Sequence, residues 1–325
     1  MNTTNVFKII FSKNLDEQAL AQHYPKVLST LLLDRTTRRN IVWATDNYKE
    51  VSAIHQPDAE ITMLSITGKY AGIIAPRVSK PRDLQVARTK DKAEVFTPSW
   101  ICNKQNNLID EAWFGRKDIF NHCEEKSWIS TTEKIEFSDK RLKNWMAYVD
   151  ERRIEITCGE APYLASRYDT TTGKLITLKQ RIGLLDRKLR VVSENVGNEE
   201  NWLKWSKRAF ESIYGFEYQG DSLLLARENL LATYTDYMLD FLQRNPTEIE
   251  LLQIATIVSW NIWQMDGLTG FPPYYDNTNE YIQTTLFDSI QPQKNPTSPP
   301  PPCQIKDWRA KRIYTFNDLL SQEKK

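Results

Sequence analysis

Hydrophobic and polar positions follow two periods along the middle of the chain. RRIEIT, residues 152–157, alternates in a period of two and predicts a strand, whereas residues 178–192 carry apolar positions at helical spacing. SIYGFE (212–217) predicts a second strand, and DSLLLARENLLATYTDYMLDFL (221–242) a long helix that ends near Asn245-Pro246. TEIELLQIATIVSW (247–260) predicts another helix and NIWQMDG (261–267) a third strand closing on Asp-Gly. Strands alternating with helices indicate the α/β class, a parallel sheet with crossover helices, whose ligands sit outside the carboxyl ends of the strands. Those ends hold Thr157, Cys158 and Gly159, then Glu217, then Asp266.

The flanking regions read differently. Residues 1–90 combine a helical stretch at 15–33 with short strand-like runs, NIVWATD, EITMLSITG and AGIIAPRV, and predict a small β-rich mixed region. Residues 91–280 form the alternating core. Residues 281–325 contain KNPTSPPPPC, whose prolines exclude a helix interior or central strand and predict an extended surface tail.

Charge and composition narrow the picture only slightly. Forty-three Lys and Arg against 42 Asp and Glu give a net charge of +1, so nothing in the bulk charge attracts nucleic acid and any such contact must be local. The strongest local surplus lies at 77–92, where Arg77, Lys80, Arg82, Arg88, Lys90 and Lys92 face Asp83 and Asp91; RTTRRN at 35–40 is a second. Such runs are either solvated faces or sequence-independent phosphate contacts. Four cysteines lie far apart, with no pair at metal-ligand spacing, and no apolar run reaches the ~18 residues of a membrane span; a reduced, cytoplasmic chain without metal is expected. Ten tryptophans are unusual, but in settings such as NWLKWSK and SWNIWQMD their spacing favours core packing over stacking on bases.

The strand-end residues suggest a mononucleotide-type site. An acid at Glu217 can accept both hydroxyls of a ribose, and Asp266 can accept an adenine amino group; each can equally be a cap or turn residue. Likewise RRIEITCGEAPYLASRYD is either a cofactor loop opening a helix or an ordinary strand-to-helix corner, since only Gly159 and Ala161 supply smallness.

Three segments together resemble the adenine-type DNA methyltransferases, the modification subunits and domains of restriction systems. AEVFTPSWICNKQNNLID (93–110) resembles the family's Thr-Pro segment; TCGEAPYL matches its Asp-Pro-Ala-Cys-Gly-Ser-Gly-Ala-Phe-Leu loop at Cys158, Gly159 and Leu164, with Glu160 for Ser and Ala161 for the second Gly. IYGFEYQGDSLLLARENLL resembles the segment in which an acid precedes a Leu-Ala-Arg helix, and NIWQMDGL the following acid-small-Leu segment. The resemblance covers roughly residues 90–270. It implies a Rossmann-like methyltransferase core binding S-adenosyl-L-methionine through Thr97, Cys158, Gly159, Glu217 and Asp266, with Thr97 as helix cap and Pro98 in the first turn. It also implies adenine-N6 methylation of DNA, with DNA as partner and 77–92 as contact.

The family's Asn-Pro-Pro-Tyr, which holds the amino group of a flipped base, has only imperfect counterparts. GFPPYYD has Phe271 in place of Asn, and FDSIQPQKNPTS offers Asn295-Pro296. About sixty residues follow Asp266, little room for a target-recognition region, so sequence reading would fall to the N-terminal region or another subunit. A catalytically inactive subunit supporting a partner methyltransferase or nuclease, and a restriction nuclease component, are the competing expectations. Ala161 is expected to narrow the cofactor loop by one methyl group, at a negative φ, so that glycine there would tighten binding.

Overall fold

A computed structural model describes residues 15–80, 97–138, 143–274 and 301–322. From the N-terminus come α1 (Glu17–His23), capped by the Asp16 carboxylate on the Ala19 N–H, α2 (Pro25–Leu32) and the short α3 (Met63–Ile66). Then follow α4 (Ser99–Phe114), the hairpin β1 (Asn121–Cys123) and β2 (Trp128–Ser130), and α5 (Trp145–Asp150). The core comprises β3 (Arg153–Glu155), α6 (Leu184–Asn195), α7 (Glu199–Glu211), β4 (Ile213–Glu217), α8 (Gly220–Leu242), α9 (Glu248–Asn261) and β5 (Ile262–Gln264). A second hairpin, β6 (Gln304–Asp307) and β7 (Arg312–Thr315), and α10 (Phe316–Gln322) complete it.

The protein is therefore mixed α/β, with strands β3, β4 and β5 adjacent, parallel and in that order. Alternation builds the two faces of this sheet. Ile213 and Ile262 join the main core with the helices, while Tyr214, Phe216 and Trp263 point the other way into a smaller cluster with Cys303 and Ile305 of the C-terminal hairpin. Helix α8 is buried on nearly every side over its first nineteen residues, which is why its sequence shows little amphipathic contrast. It ends where Gln243 turns left-handed at φ 54° and returns its N–H to the Leu239 carbonyl; Thr247 and Glu250 then open α9 with a reciprocal capping box.

Two flanking expectations change. Among the described residues of the N-terminal region the strand-like runs make isolated bridges, Leu33 to Asn40 and Val42 to Glu60, and EITMLSITG turns into α3. The tail is not extended over 301–322: it folds into β6, β7 and α10, with Cys303 and Ile305 buried against the sheet. The remainder of the proline-rich segment, 281–300, lies outside the described residues. No described helix is long and apolar enough to cross a membrane.

Candidate functional site

Parallel pairing brings the ends of β3, β4 and β5 to one edge. Beyond Glu155 the chain keeps pairing with β4 for one more step, the Cys158 N–H donating to the Phe216 carbonyl at 2.8 Å. It then turns through three left-handed residues, Thr157 (φ 49°), Gly159 (φ 53°) and Ala161 (φ 60°). The next donor, the Gly159 N–H, reaches Glu217 Oε2 at 2.8 Å, while Glu217 Oε1 accepts the N–H groups of Tyr218 (2.9 Å) and Gln219 (3.1 Å). The Glu217 carbonyl in turn takes the Met265 N–H at 3.0 Å. Gly159 and Glu217 are thus joined directly, Cys158 is tied to the adjacent Phe216, and Asp266 stands one residue beyond the Met265 link.

The two acids differ in environment. Glu217 is buried, and burial raises its pKa despite the three backbone donors. Those donors occupy three of the roughly four acceptor sites of a carboxylate, so a ribose diol would have to share Oε2 with the Gly159 N–H or displace it. Asp266 is half-buried and shapes a turn: its Oδ1 accepts the Leu268 N–H at 2.8 Å, and its backbone pairs with Phe271 and Gly270.

Three local expectations are corrected. Ala161 has a positive φ, and its methyl group is fully buried in the main core. TCGEAPYL does not open a helix: one turn closes on the Ala161 carbonyl, from the N–H groups of Leu164 and Ala165, and the next α-helix waits until Leu184. There the loop packs so tightly that a Cβ on Gly183 would lie 2.3 Å from the Leu164 carbonyl oxygen. Thr97 does not cap α4 either. Pro98 occupies the cap position and has no side-chain acceptor, so Asp169 Oδ2 accepts the Ser99 N–H instead, at 2.7 Å. Thr97 still borders the loop, its carbonyl accepting the Thr170 hydroxyl at 3.2 Å.

Other residues at this edge went unread in the sequence. Glu155, at the end of β3, is buried with Oε2 lacking any hydrogen-bond partner; burial, and then the neighbouring Glu217 charge, raise its pKa well above the carboxylate range. Its signal was its spacing, three residues before Cys158, where the Asp-Pro-Ala-Cys-Gly loop has Asp. Glu160, the replacement for Ser, is also buried. Its Oε1 accepts the Arg77 N–H (2.7 Å), its Oε2 the Tyr168 hydroxyl (2.5 Å), and its carbonyl the Asn229 amide (3.0 Å). Burial and the Glu160 charge push the Tyr168 phenol well above its usual range.

Of the expected DNA contacts, Lys80 is used inside the fold. Lys80 puts its ammonium on the fully buried Asp221 at 3.0 Å, beside the Tyr48 hydroxyl at 2.7 Å from the same oxygen. Arg77 is half-buried and gives its backbone N–H to Glu160; in RTTRRN, Arg35 bonds Ser259, Arg39 forms a surface pair with Glu60 and Arg38 is exposed. Arg82, Arg88 and Lys90, and with them Asn295 and Pro296, lie outside the described residues. In GFPPYYD, Phe271 is buried and Tyr274 is exposed. The tryptophans of NWLKWSK and SWNIWQMD are core or half-buried, Trp202 and Trp263 almost completely so. Among the described residues no group of three or more His, Cys, Asp or Glu could hold a metal. Comparison of the chain with protein-family models, with curated proteins and with solved structures finds no match in any of them.

Proposed function

We propose that the chain is a DNA adenine-N6 methyltransferase-like component of a restriction-modification system, with a Rossmann-like core that binds S-adenosyl-L-methionine. The observation that supports this reading is the joining of Gly159 and Glu217 at the carboxyl ends of adjacent parallel strands, with Asp266 at the third. Glu217 would accept ribose hydroxyls, Asp266 an adenine amino group, and the turn at 157–161 would pass close to the methionine part. The unpartnered Glu155 oxygen is a further buried polar group at that edge. When bound, the cofactor supplies an electrophilic methyl group.

A second reading, a catalytically inactive subunit that supports a partner methyltransferase or nuclease, is favoured by Phe271. This residue stands where a base-binding Asn is expected and is buried in the fold, so it offers the amino group no acceptor. Titration calorimetry on the full chain tests the cofactor site. Binding is expected in the micromolar range, about 8 kcal/mol, and Glu217→Ala should weaken it roughly tenfold or more. Folded wild-type protein that takes up neither S-adenosyl-L-methionine nor its demethylated product overturns the proposal. Labelled-methyl transfer to DNA then separates the two readings.

A further inference from the structure

Lys80 and Arg35 of the two basic stretches are held inside the fold and Arg39 pairs with Glu60, while a different surface combines aromatic rings with exposed lysines. The β1–β2 hairpin and the loop at 169–180 line two cavities, one of about 440 Å³ that is completed by the start of α4 and one of about 690 Å³ that is completed by α6 and α8. Both are within the size range of small-ligand sites. They share Trp128 and Gln180 as a common wall, so the two lie side by side as neighbouring halves of one surface groove divided at that pair. The Trp128 indole is half-buried and held in place by its N–H, which donates to the Gln180 carbonyl at 2.9 Å. Trp100 lines the smaller cavity, with the Lys104 ammonium 5.0 Å from its ring centre.

The charge along the rim has one prevailing sign. Lys126 and Lys174 in the smaller cavity and Lys179 in the larger are all exposed. The acid in the first wall, Asp169, is already used by the Ser99 N–H and by Thr171 and Thr172. In the second, Asp186 is fully buried on Ser166 and Glu194 pairs with Arg190, which leaves Asp240 as the exposed acid. Indole faces with flanking ammonium groups are the elements of single-strand nucleic-acid binding, in which bases stack and phosphates follow the positive rim. A paired duplex keeps its bases stacked on one another and leaves recessed indoles nothing to cover.

We propose that this groove binds an unpaired stretch of a DNA strand, with bases on Trp100 and Trp128 and phosphates on Lys126, Lys174 and Lys179. The proposal rests on the DNA reading above and assigns it a surface other than the 77–92 stretch. Fluorescence anisotropy of a labelled oligothymidylate, titrated with the full chain at several salt concentrations, tests it. Trp100→Ala with Trp128→Ala is expected to weaken binding at least tenfold, and Phe at both positions to restore most of it. Lys126→Gln, Lys174→Gln and Lys179→Gln together, all at exposed positions, should lower the salt slope by about two units. Wild-type binding that neither set of substitutions changes overturns the groove while leaving the DNA reading intact. Wild-type protein that binds neither single-stranded nor duplex DNA at low salt overturns both, and cofactor calorimetry on the same sample shows whether the methyltransferase-like site stands without them.

Discussion

The N-terminal region, 15–80, and the strand–helix core, 153–264, pack on the same long helix but are held by different forces. The core satisfies most of its backbone within its own helices and ladder, and the apolar positions of β4, β5 and the helices fill its interior, whereas in β3 the alternation is inverted, with Glu155 buried and Ile154 exposed. The N-terminal region has short helices and isolated bridges, and several of its backbone groups are satisfied by the core. Arg227, fully buried in α8, donates to the carbonyls of Leu31 and Leu33 on one side and of Ile262 and Ser259 on the other. The Gln264 amide accepts the Val42 N–H at 2.9 Å and donates to the Val42 carbonyl at 2.8 Å, standing in for a neighbouring strand. Trp43 takes the Gly220 N–H at 2.9 Å, an approach so close that a Cβ on Gly220 would sit 2.0 Å from the Val42 oxygen. One region carries its order in its own pattern; the other receives it from side chains some two hundred positions away.

The largest expected effect breaks that connection. Burial pulls the Arg227 guanidinium down to about 10, yet it remains the donor that joins the two regions. Arg227→Met keeps the apolar stem and removes the donors, leaving buried carbonyl oxygens unpaired, and should destabilise the protein by roughly 3–5 kcal/mol. Limited proteolysis of this variant should cut within 15–80 before it cuts the core. An unchanged urea midpoint, or cleavage spread evenly over both regions, would show that apolar packing alone holds the N-terminal region.

This difference also explains what could be read in advance. The three strands, α8 and α9 were legible because each is an alternating or long apolar run that stops at a turn signal, Asn-Pro after α8 and Asp-Gly after β5, and the acids at Glu217 and Asp266 because strand ends are places where position implies chemistry. The cap of α4 was not legible: its acceptor is Asp169, seventy positions from Ser99, while the adjacent Thr97 looked suitable. Lys80 read as a surface cation because its partner, Asp221, is 141 positions away. Glu155 was passed over because alternation in RRIEIT reads the isoleucines as the buried face, whereas in β3 Glu155 is buried and Ile154 is exposed. The hairpin at 304–315 was hidden by the prolines before it.

A smaller effect tests the same contact between regions by pH. Glu17, at the first turn of α1, and Glu228, within α8, are both buried. Burial raises Glu17 to about 7; it raises Glu228 well above the carboxylate range, with the Glu17 charge adding to it. The folded state therefore binds more protons than the unfolded chain, whose carboxyls titrate near 4.5. The stability these groups supply is complete below that value and is lost as pH rises through the folded pKa of each, for Glu17 by about pH 7. Urea unfolding should show stability falling by on the order of 2 kcal/mol over this window. Glu228→Gln, neutral at every pH, should flatten the fall. An equally steep decline in that variant would place its origin elsewhere.

The smallest effect belongs to the one part of the core that behaves like the N-terminal region. The turn at 157–161 takes its conformation from distant partners, Glu217 at Gly159 and Arg77 and Asn229 at Glu160, and not from its own pattern. Gly159 and Ala161 both have positive φ, but they differ in what a methyl group meets. Gly159→Ala adds left-handed strain of about 1–2 kcal/mol at a residue whose N–H is held by Glu217, so it should lower stability as well as cofactor affinity. Ala161→Gly relieves the same kind of strain but loses a fully buried methyl group, worth about 0.8 kcal/mol, and frees the unfolded chain by about 0.4–1 kcal/mol. These terms nearly cancel, and the methyl group faces the core, so stability should stay within about 0.5 kcal/mol and cofactor affinity within about twofold. Thermal melts with and without S-adenosyl-L-methionine measure both. A clear gain in affinity for Ala161→Gly would instead mean that this methyl group reaches the cofactor, and that the loop opens away from the core when the site is filled.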